Sequence, residues 1–347
     1  MNSSLAEIAE ARREKEDGTA CEMVRKRILM KTLILYYSQS GSTGKIARAI
    51  HKGLSRSTEQ CDIFAIKEAK PHDLDRYDLI GLGSPVWCGA ETPNVRRFVE
   101  SLAHQQGKHI FAFNTHGVMP EQYFPAVVRR LKARGFTVIG MRDWFGDVRF
   151  QFAPSPYFTH GHPDEIDLRE AETFGVEMEE TSRRISDGET QLIPPVPPYV
   201  LTEQLLVLAE FYRAGRNPHG YMKYDEKKCL YPKCRLCMDH CLMEYIDLSV
   251  EPRRFGSKGK ECDMWLGCTF CEMICPSGAI SCDWEGFMKE FGGKIHAAIE
   301  GNPLQNAAEA CIGSGRLRML IPREEVRFDR PYLMVHHKRP RFKIEKE

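Results

Sequence analysis

The stretch that decides the fold is residues 32–44, TLILYYSQSGSTG, an apolar run followed by a loop of serine, threonine and glycine. Thr32–Tyr37 has the composition of a strand that is buried on both faces. Apolar residues then recur at helical spacing from Ile46 to Leu54. A strand, a loop and a helix in this order predict the first unit of an α/β fold.

The same alternation continues to about residue 185. Further strands are predicted at Cys61–Ile66, Leu79–Leu82, Ile110–Phe113 and Thr137–Met141, and helices at Val95–Leu102, Phe124–Leu131 and from Pro163 onward. The last helix opens with Asp164 and Glu165, and acidic residues favour a helix N-terminus. Five strands alternating with helices predict a doubly wound, five-stranded parallel sheet with helices on both faces.

Prolines mark the main domain boundary, because Pro194, Pro195, Pro197 and Pro198 predict a stiff linker. A helix at Thr202–Arg213, a helix candidate at Trp284–Ile299 and a strand at Leu317–Ile321 are also predicted. We expect five segments: an N-terminal extension (1–30), the α/β domain (31–190), the proline-rich linker and helix (191–225), a cysteine-rich domain (226–284) and a C-terminal extension (285–347).

The loop after the first strand has the features of an anion site. A helix N-terminus offers unpaired N–H groups and a positive dipole end, so that it binds phosphate without lysine or arginine. Hydroxyl groups and a glycine that permits a close turn add to this, at Ser38, Ser40, Gly41, Ser42 and Thr43. The glycine patterns of dinucleotide folds and P-loop NTPases are missing. An ordinary N-cap loop rich in serine and threonine is the structural alternative.

Residues 31–185 resemble the flavodoxin family, whose phosphate loop holds FMN. The resemblance implies two ring-contacting loops at the carboxyl ends of neighbouring strands, where open α/β sheets bind ligands. The expected FMN contacts are Ser84, Pro85, Val86 and Trp87 in one loop and Asn114, Thr115, His116 and Gly117 in the other. The stretch His160–Asp164 also looks like this family. Core packing for Trp87, and loop capping for His116, are the structural alternatives.

Eight of the thirteen cysteines form two groups. The first reads Cys229-x4-Cys234-x2-Cys237-x3-Cys241, and the second reads Cys262-x5-Cys268-x2-Cys271-x3-Cys275-Pro276. Clustered cysteines in a reducing compartment are more often metal ligands than disulfide partners. Short spacings let consecutive thiolates converge on one cluster from a tight turn.

The two groups resemble bacterial ferredoxins with two [4Fe–4S] clusters, in which the fourth cysteine of each group ligates the other group's cluster. The resemblance implies one cluster on Cys229, Cys234, Cys237 and Cys275, and another on Cys262, Cys268, Cys271 and Cys241. The first spacer is longer than the family's in both groups, which makes Cys229 and Cys262 the weaker assignments, and Leu242 replaces the usual proline. Structural zinc is the alternative.

Composition limits the classes of partner. The formal net charge is +1, and no apolar run approaches the length of a membrane span. We therefore expect a cytoplasmic protein that binds neither nucleic acid nor membrane. A homodimer is compatible with the sequence. The basic run from Lys338 to Lys343 is expected to be a solvated tail or a docking site for an acidic redox partner.

The combined resemblance is to flavodoxin–ferredoxin fusion proteins. It implies an oxidoreductase-type electron carrier of anaerobic-type metabolism that passes electrons between two [4Fe–4S] clusters and FMN and on to a redox partner. Two alternatives stay open: an FMN-dependent reductase of a small organic substrate fed by the clusters, and a redox sensor. For the reductase, the insert at Phe145–Tyr157 and the tail after Cys282 would form a lid over the flavin, and structural packing is the favoured alternative for both segments.

Overall fold

The structure is a computed structural model. It describes residues 30–87, 89–120, 122–149, 153–200, 222–242, 244–251, 254–255, 269–286, 289 and 303–330. The helix predicted at Thr202–Arg213, most of the one predicted at Trp284–Ile299, and the basic run near the end of the chain lie outside these residues. Within the described part, no helix combines the length and the apolar character that crossing a membrane requires.

The N-terminal half forms a twisted sheet flanked by helices, which confirms the predicted fold class. The strands are β1 (Lys31–Tyr36), β2 (Gln60–Ala65), β3 (Leu79–Trp87), β4 (Ala90–Glu91), β5 (His109–His116) and β6 (Thr137–Phe145). Five of them run parallel in the order β2-β1-β3-β5-β6, while the short β4 pairs antiparallel with β3. The helices are α1 (Ser42–Leu54), α2 (Pro93–Ser101), α3 (Tyr123–Ala133) and α4 (Glu165–Ser186).

Each face of the sheet has its own hydrophobic core. Helices α2 and α3 cover one face through residues such as Val95 and Val127. Helices α1 and α4 cover the other through residues such as Ile50 and Phe174. The strands are therefore buried on both sides, which explains why their sequences are continuously apolar rather than alternating.

Two strands extend further than predicted, and their extensions contain residues that are expected to contact the cofactor. Residues 83–87 and 114–116 were expected in loops, but they continue β3 and β5. The two strands stay paired there, with Ser84 in register with Asn114 and Pro85 with Thr115. The pairing outweighs the weak strand propensity of glycine, serine and proline, because β3 is held between β5 and the added strand β4.

The cysteine-rich segment consists of short elements. They are β7 (Met222–Tyr224), α5 (Leu236–Asp239), β8 (Ile246–Asp247), β9 (Arg254–Phe255), α6 (Phe270–Ile274) and β10 (Ile280–Cys282). Strands β7 and β10 pair antiparallel, and so do β8 and β9. The β7–β10 pair joins the start of the first cysteine group to the end of the second.

The C-terminal extension packs on the α/β domain. Helix α7 (Pro303–Gly313) and the chain after it form a third core with the insert after β6, including Phe158, Ala308, Leu317 and Val326. The strand predicted at Leu317–Ile321 is wrong, because this stretch pairs with no strand in the described part of the chain. Its alternating pattern arises because apolar side chains enter the third core while the neighbouring arginines bind carboxylates of the α/β domain.

The proline-rich linker also contacts this domain. Val196 packs against the core beneath α2 and α3. The guanidinium carbon of Arg129 lies 4.0 Å from the centre of the Tyr199 ring, and Gln122 donates a hydrogen bond to the Val200 carbonyl. Residues 194–200 therefore run along the surface of the domain without regular secondary structure.

Candidate cofactor sites

The predicted phosphate loop lies between the end of β1 and the start of α1. Gly41 precedes the helix with φ = 96°, a left-handed conformation that glycine adopts readily. The first turn of α1 contains no acidic residue, so no carboxylate competes for its N–H groups. Ser42 and Thr43 are buried there, and the Ser38 hydroxyl is buried without a partner among the described residues. The loop fits a phosphate.

The loop is tied to the neighbouring strand ends. The hydroxyl oxygens of Thr43 and Thr115 are 2.8 Å apart. A Cβ atom added to Gly146, just after β6, would lie 3.1 Å from that of Ser42. The amino end of α1 and the carboxyl ends of β5 and β6 therefore converge on one place.

Among the predicted ring contacts on β3, Ser84 already uses its hydroxyl group in hydrogen bonds within the protein. The buried Ser84 hydroxyl donates to the Pro85 carbonyl at 2.8 Å and accepts from the Thr92 amide at 3.2 Å. Ser84 therefore holds the loop to β4, and its role as a ligand contact stays a prediction. Val86 and Trp87 are half-buried at the end of the strand. Cys88 lies outside the described residues.

Two buried polar side chains at the end of β5 have atoms that make no hydrogen bond to any described residue. Asn114 and His116 are two positions apart on one strand and so share a face. Both amide atoms of Asn114, and Nδ1 of His116, have no partner among the described residues. Leaving such groups unpaired costs about 1–3 kcal/mol each. A ligand with hydrogen-bonding edges, such as the isoalloxazine ring of FMN, would satisfy them.

Asp143 and Arg316 form an ion pair next to His116 that the sequence analysis did not predict. Nε2 of His116 lies 2.7 Å from Oδ2 of Asp143, and Arg316 of the C-terminal extension binds the same oxygen. Burial opposes ionisation of Asp143, but the hydrogen bond from His116, together with the charge and hydrogen bond of Arg316, outweighs it and lowers the pKa of Asp143 to about 2. Asp143 gives one local signal, since it is a charge within the strand sequence TVIGMRDWF.

A second contact fixes the C-terminal extension beside this site. His162 Nδ1 lies 2.6 Å from Asp167, and its Nε2 lies 2.8 Å from the Arg318 carbonyl. Arg318 in turn donates two hydrogen bonds of 2.9 Å to Asp164. The ligand-type atoms of His162, Asp164 and Asp167 lie within 4.8 Å of one another. All three side chains are engaged in hydrogen bonds, so this group serves as a structural lock.

Cysteines from both groups come together in the described part of the chain. Cys229, Cys237, Cys271 and Cys275 pack around one small apolar cluster. Burial raises the pKa of the Cys237 thiol to about 12, together with the nearby charges of Cys275, Cys229 and Cys234. The four residues predicted for one cluster therefore lie close together. Cys262 and Cys268 lie outside the described residues.

Backbone amides point at two of these sulfurs. The Tyr231 amide is 3.5 Å from Sγ of Cys229, and the Tyr245 amide is 3.4 Å from Sγ of Cys241. Hydrogen bonds to sulfur stabilise negative charge and tune cluster potentials. No disulfide joins two cysteines of the described ranges. The donor set fits a thiolate-ligated cluster.

A cavity of about 410 Å³ separates the α/β domain from the first cysteine group. It is lined by Ser38 and Asn94 on one side and by His240 and Cys241 on the other. Arg97 of α2 bridges the two sides, because Nη2 donates to the Leu242 carbonyl at 2.5 Å and lies 3.5 Å from Glu244. No motif around Arg97 or Leu242 predicts this contact.

Known proteins are similar to part of this chain. A family model described as a flavodoxin domain matches residues 33–126. An uncharacterized protein of Methanocaldococcus jannaschii is 29% identical over 159 residues, which is 42% of this chain and 95% of that protein. The chain thus contains a flavodoxin-like domain, as predicted.

Several solved structures are similar to part of the chain. A flavodoxin from the domain Archaea is 23% identical, with 44% of this chain and 99% of that one covered and a TM-score of 0.35. The Megasphaera elsdenii flavodoxin is 21% identical, with 43% and 98% covered and a TM-score of 0.34. The flavodiiron protein of Giardia intestinalis is 17% identical, with 49% and 40% covered and a TM-score of 0.36.

Proposed function

We propose that this chain is an electron-transfer protein that binds FMN and two [4Fe–4S] clusters. Electrons pass between the clusters and FMN within one chain, and from there to a redox partner protein. The observation that carries the proposal is the packing of Cys275 with Cys229 and Cys237 in one cluster, since the ferredoxin pattern requires the fourth thiolate to come from the other cysteine group.

The flavin half of the proposal is supported by the flavodoxin-like domain and by the unpaired polar atoms at its sheet edge. Ser42, Thr43 and the first-turn amides of α1 would hold the phosphate, and Asn114 and His116 would bind the ring edge. Trp87 would pack against the ring. FMN, when bound, supplies two-electron and one-electron redox chemistry. The protein contributes position, exclusion of water and hydrogen bonds.

The cluster half is supported by the thiol arrangement and by the interface with the α/β domain. Cys241 lines the cavity that also reaches Ser38 of the phosphate loop, so the first cysteine group faces the proposed flavin site. Arg97 holds this arrangement through Leu242 and Glu244. A short separation between redox groups is what intramolecular electron transfer requires.

The experiment is anaerobic reduction of the purified holoprotein, followed by absorption spectroscopy of the flavin and the iron–sulfur bands. We expect bleaching of both chromophores, and reoxidation by an added protein acceptor such as a ferredoxin-accepting reductase. If reducing the iron–sulfur bands never led to reduction of the flavin, the proposed electron path would be wrong.

The cavity favours one second candidate, an FMN-dependent reductase of a small organic substrate. Its volume of about 410 Å³ lies within the range of small-molecule sites, and Lys67, Arg97 and His240 give it basic groups. Turnover separates the two candidates. A reductase consumes electron donor when a small substrate is added without any partner protein, whereas a carrier leaves small molecules unchanged.

A further inference from the structure

The side chains of Arg316, Asp143 and His116 form a continuous hydrogen-bonded line from the C-terminal extension to the end of β5. Arg316 binds Oδ2 of Asp143, and the same oxygen lies 2.7 Å from Nε2 of His116. The Phe145 ring supports the line, with its centre 4.9 Å from the imidazole and 5.8 Å from the guanidinium carbon of Arg316. His116 is nine-tenths or more buried, and its Nδ1 has no partner among the described residues.

The chemistry of the pair fixes which ring nitrogen carries hydrogen. An ionised carboxylate only accepts hydrogen bonds, so Nε2 of His116 must be the N–H that donates to Asp143. In the neutral ring, Nδ1 then carries a lone pair and accepts. A buried acceptor needs a hydrogen-bond donor, and a bound ligand with an N–H group would supply one. The side-chain amide of Asn114, on the same face, also has no hydrogen-bond partner within the described part of the chain.

We propose that Asp143 and Arg316 are positioning residues that hold His116 in its Nε2–H form, so that Nδ1 accepts a hydrogen bond from an N–H group of the flavin ring. The proposal rests on the proposed FMN site. It assigns the C-terminal extension a function, because Arg316 completes the binding site of a domain that ends more than a hundred residues earlier in the chain.

The first test uses the flavin-free chain labelled with ¹⁵N-histidine. The His116 signal is assigned by its loss in His116→Gln, and its ¹⁵N shifts report which nitrogen is protonated. We expect the Nε2–H form in the parent chain, and a mixture of both forms in Asp143→Asn. An unchanged signal in Asp143→Asn would overturn the positioning role, whether or not the chain binds flavin.

The second test measures the dissociation constants of FMN and of riboflavin, which shares the ring but lacks the phosphate. Asp143→Asn and Arg316→Met should weaken both ligands by the same factor, about 3- to 10-fold, as expected for one hydrogen bond. Arg316→Lys should restore part of the affinity, because it keeps the charge.

Arg327→Met is the matched control, since Arg327 lies in the same extension but pairs with the exposed Asp329. It should leave both affinities unchanged. Equal affinities in Arg316→Met and the parent chain would overturn the proposal. If the parent chain bound neither ligand, the proposed FMN site itself would fail, and the histidine signals would still report on Asp143.

Discussion

The guanidinium of Arg97 donates a hydrogen bond to the carbonyl of Leu242, 145 residues away in the chain. Leu242 follows Cys241 directly, and Arg97 belongs to the helix that covers one face of the flavodoxin-like domain. This contact therefore joins the predicted flavin domain to the predicted cluster domain at the residue next to Cys241. In the proposed electron path, the Arg97 side chain holds the first cysteine group close to the flavin domain.

We predict that Arg97→Ala slows electron transfer between the clusters and the flavin, because the cysteine group loses its anchor on the α/β domain. We expect a decrease of at least about 10-fold, since a small loss of docking geometry has a large effect on rate. Rapid-mixing spectroscopy of the reduced holoprotein measures it. Arg169→Ala, which removes an exposed ion pair on α4, is the control and should not change the rate.

Loss of one thiolate should remove one cluster and spare the other. We predict that Cys237→Ser lowers the iron content per chain by about half. Each cube needs four ligands, and Cys237 belongs to the ligand set of only one of the two cubes. Iron and sulfide analysis of anaerobically purified protein measures the change. Cys61→Ser is the control, because Cys61 is a free thiol in the α/β domain. A full iron content in Cys237→Ser would exclude this residue as a ligand.

The His162 lock predicts a dependence on pH. Burial tends to lower the pKa of His162, but its hydrogen bonds to Asp167 and to the Arg318 carbonyl outweigh this and raise the pKa. A raised pKa means that the lock stabilises the folded extension fully below the unfolded value of about 6.5. The contribution is lost as the pH rises through the folded value.

We therefore expect amide hydrogen exchange in the extension, near Leu317 and Arg318, to be less protected at pH 9 than at pH 6 after correction for the intrinsic rate. His162→Gln should abolish the difference, because glutamine does not titrate. If the exchange protection of these amides in the parent chain were the same at pH 6 and pH 9, a charged His162 would not be what stabilises the extension.

Two glycines allow α1 and α4 to touch. A Cβ atom at Gly175 would lie 2.4 Å from the Ile50 carbonyl oxygen, and one at Gly53 would lie 2.0 Å from that of Glu172. We predict that Gly175→Ala lowers the free energy of unfolding by about 1–3 kcal/mol, because the helices must move apart. Urea denaturation measures it. Gly313→Ala, where an added Cβ meets nothing within 4 Å, should not destabilise the chain.

The sheet was predictable because its signal is local. Strands buried on both faces are apolar throughout, and the helices between them repeat apolar residues at helical spacing. The extension of β3 was missed because Gly83, Ser84 and Pro85 have the composition of a turn. Their strand conformation depends on pairing with β5, whose sequence partner Asn114 is thirty positions away.

The proposed cluster ligands follow from cysteine spacing, but the contacts around the two proposed cofactor sites were not predicted. Cysteine intervals reflect the geometry of a single turn, so they can be read from the sequence alone. Asp143 and Arg316 are 173 residues apart, and no local pattern links them. The apolar alternation at Leu317–Ile321 resembled a strand because a segment that covers a hydrophobic surface also buries every second residue.

The central claim is that two groups of thiolates hold two iron–sulfur cubes beside a phosphate-anchored flavin. The most direct measurement is the quantity of iron, sulfide and FMN in protein purified without oxygen. We predict about eight iron atoms, about eight sulfides and about one FMN per chain. A colourless protein, or one that contains zinc in place of iron, would contradict the claim.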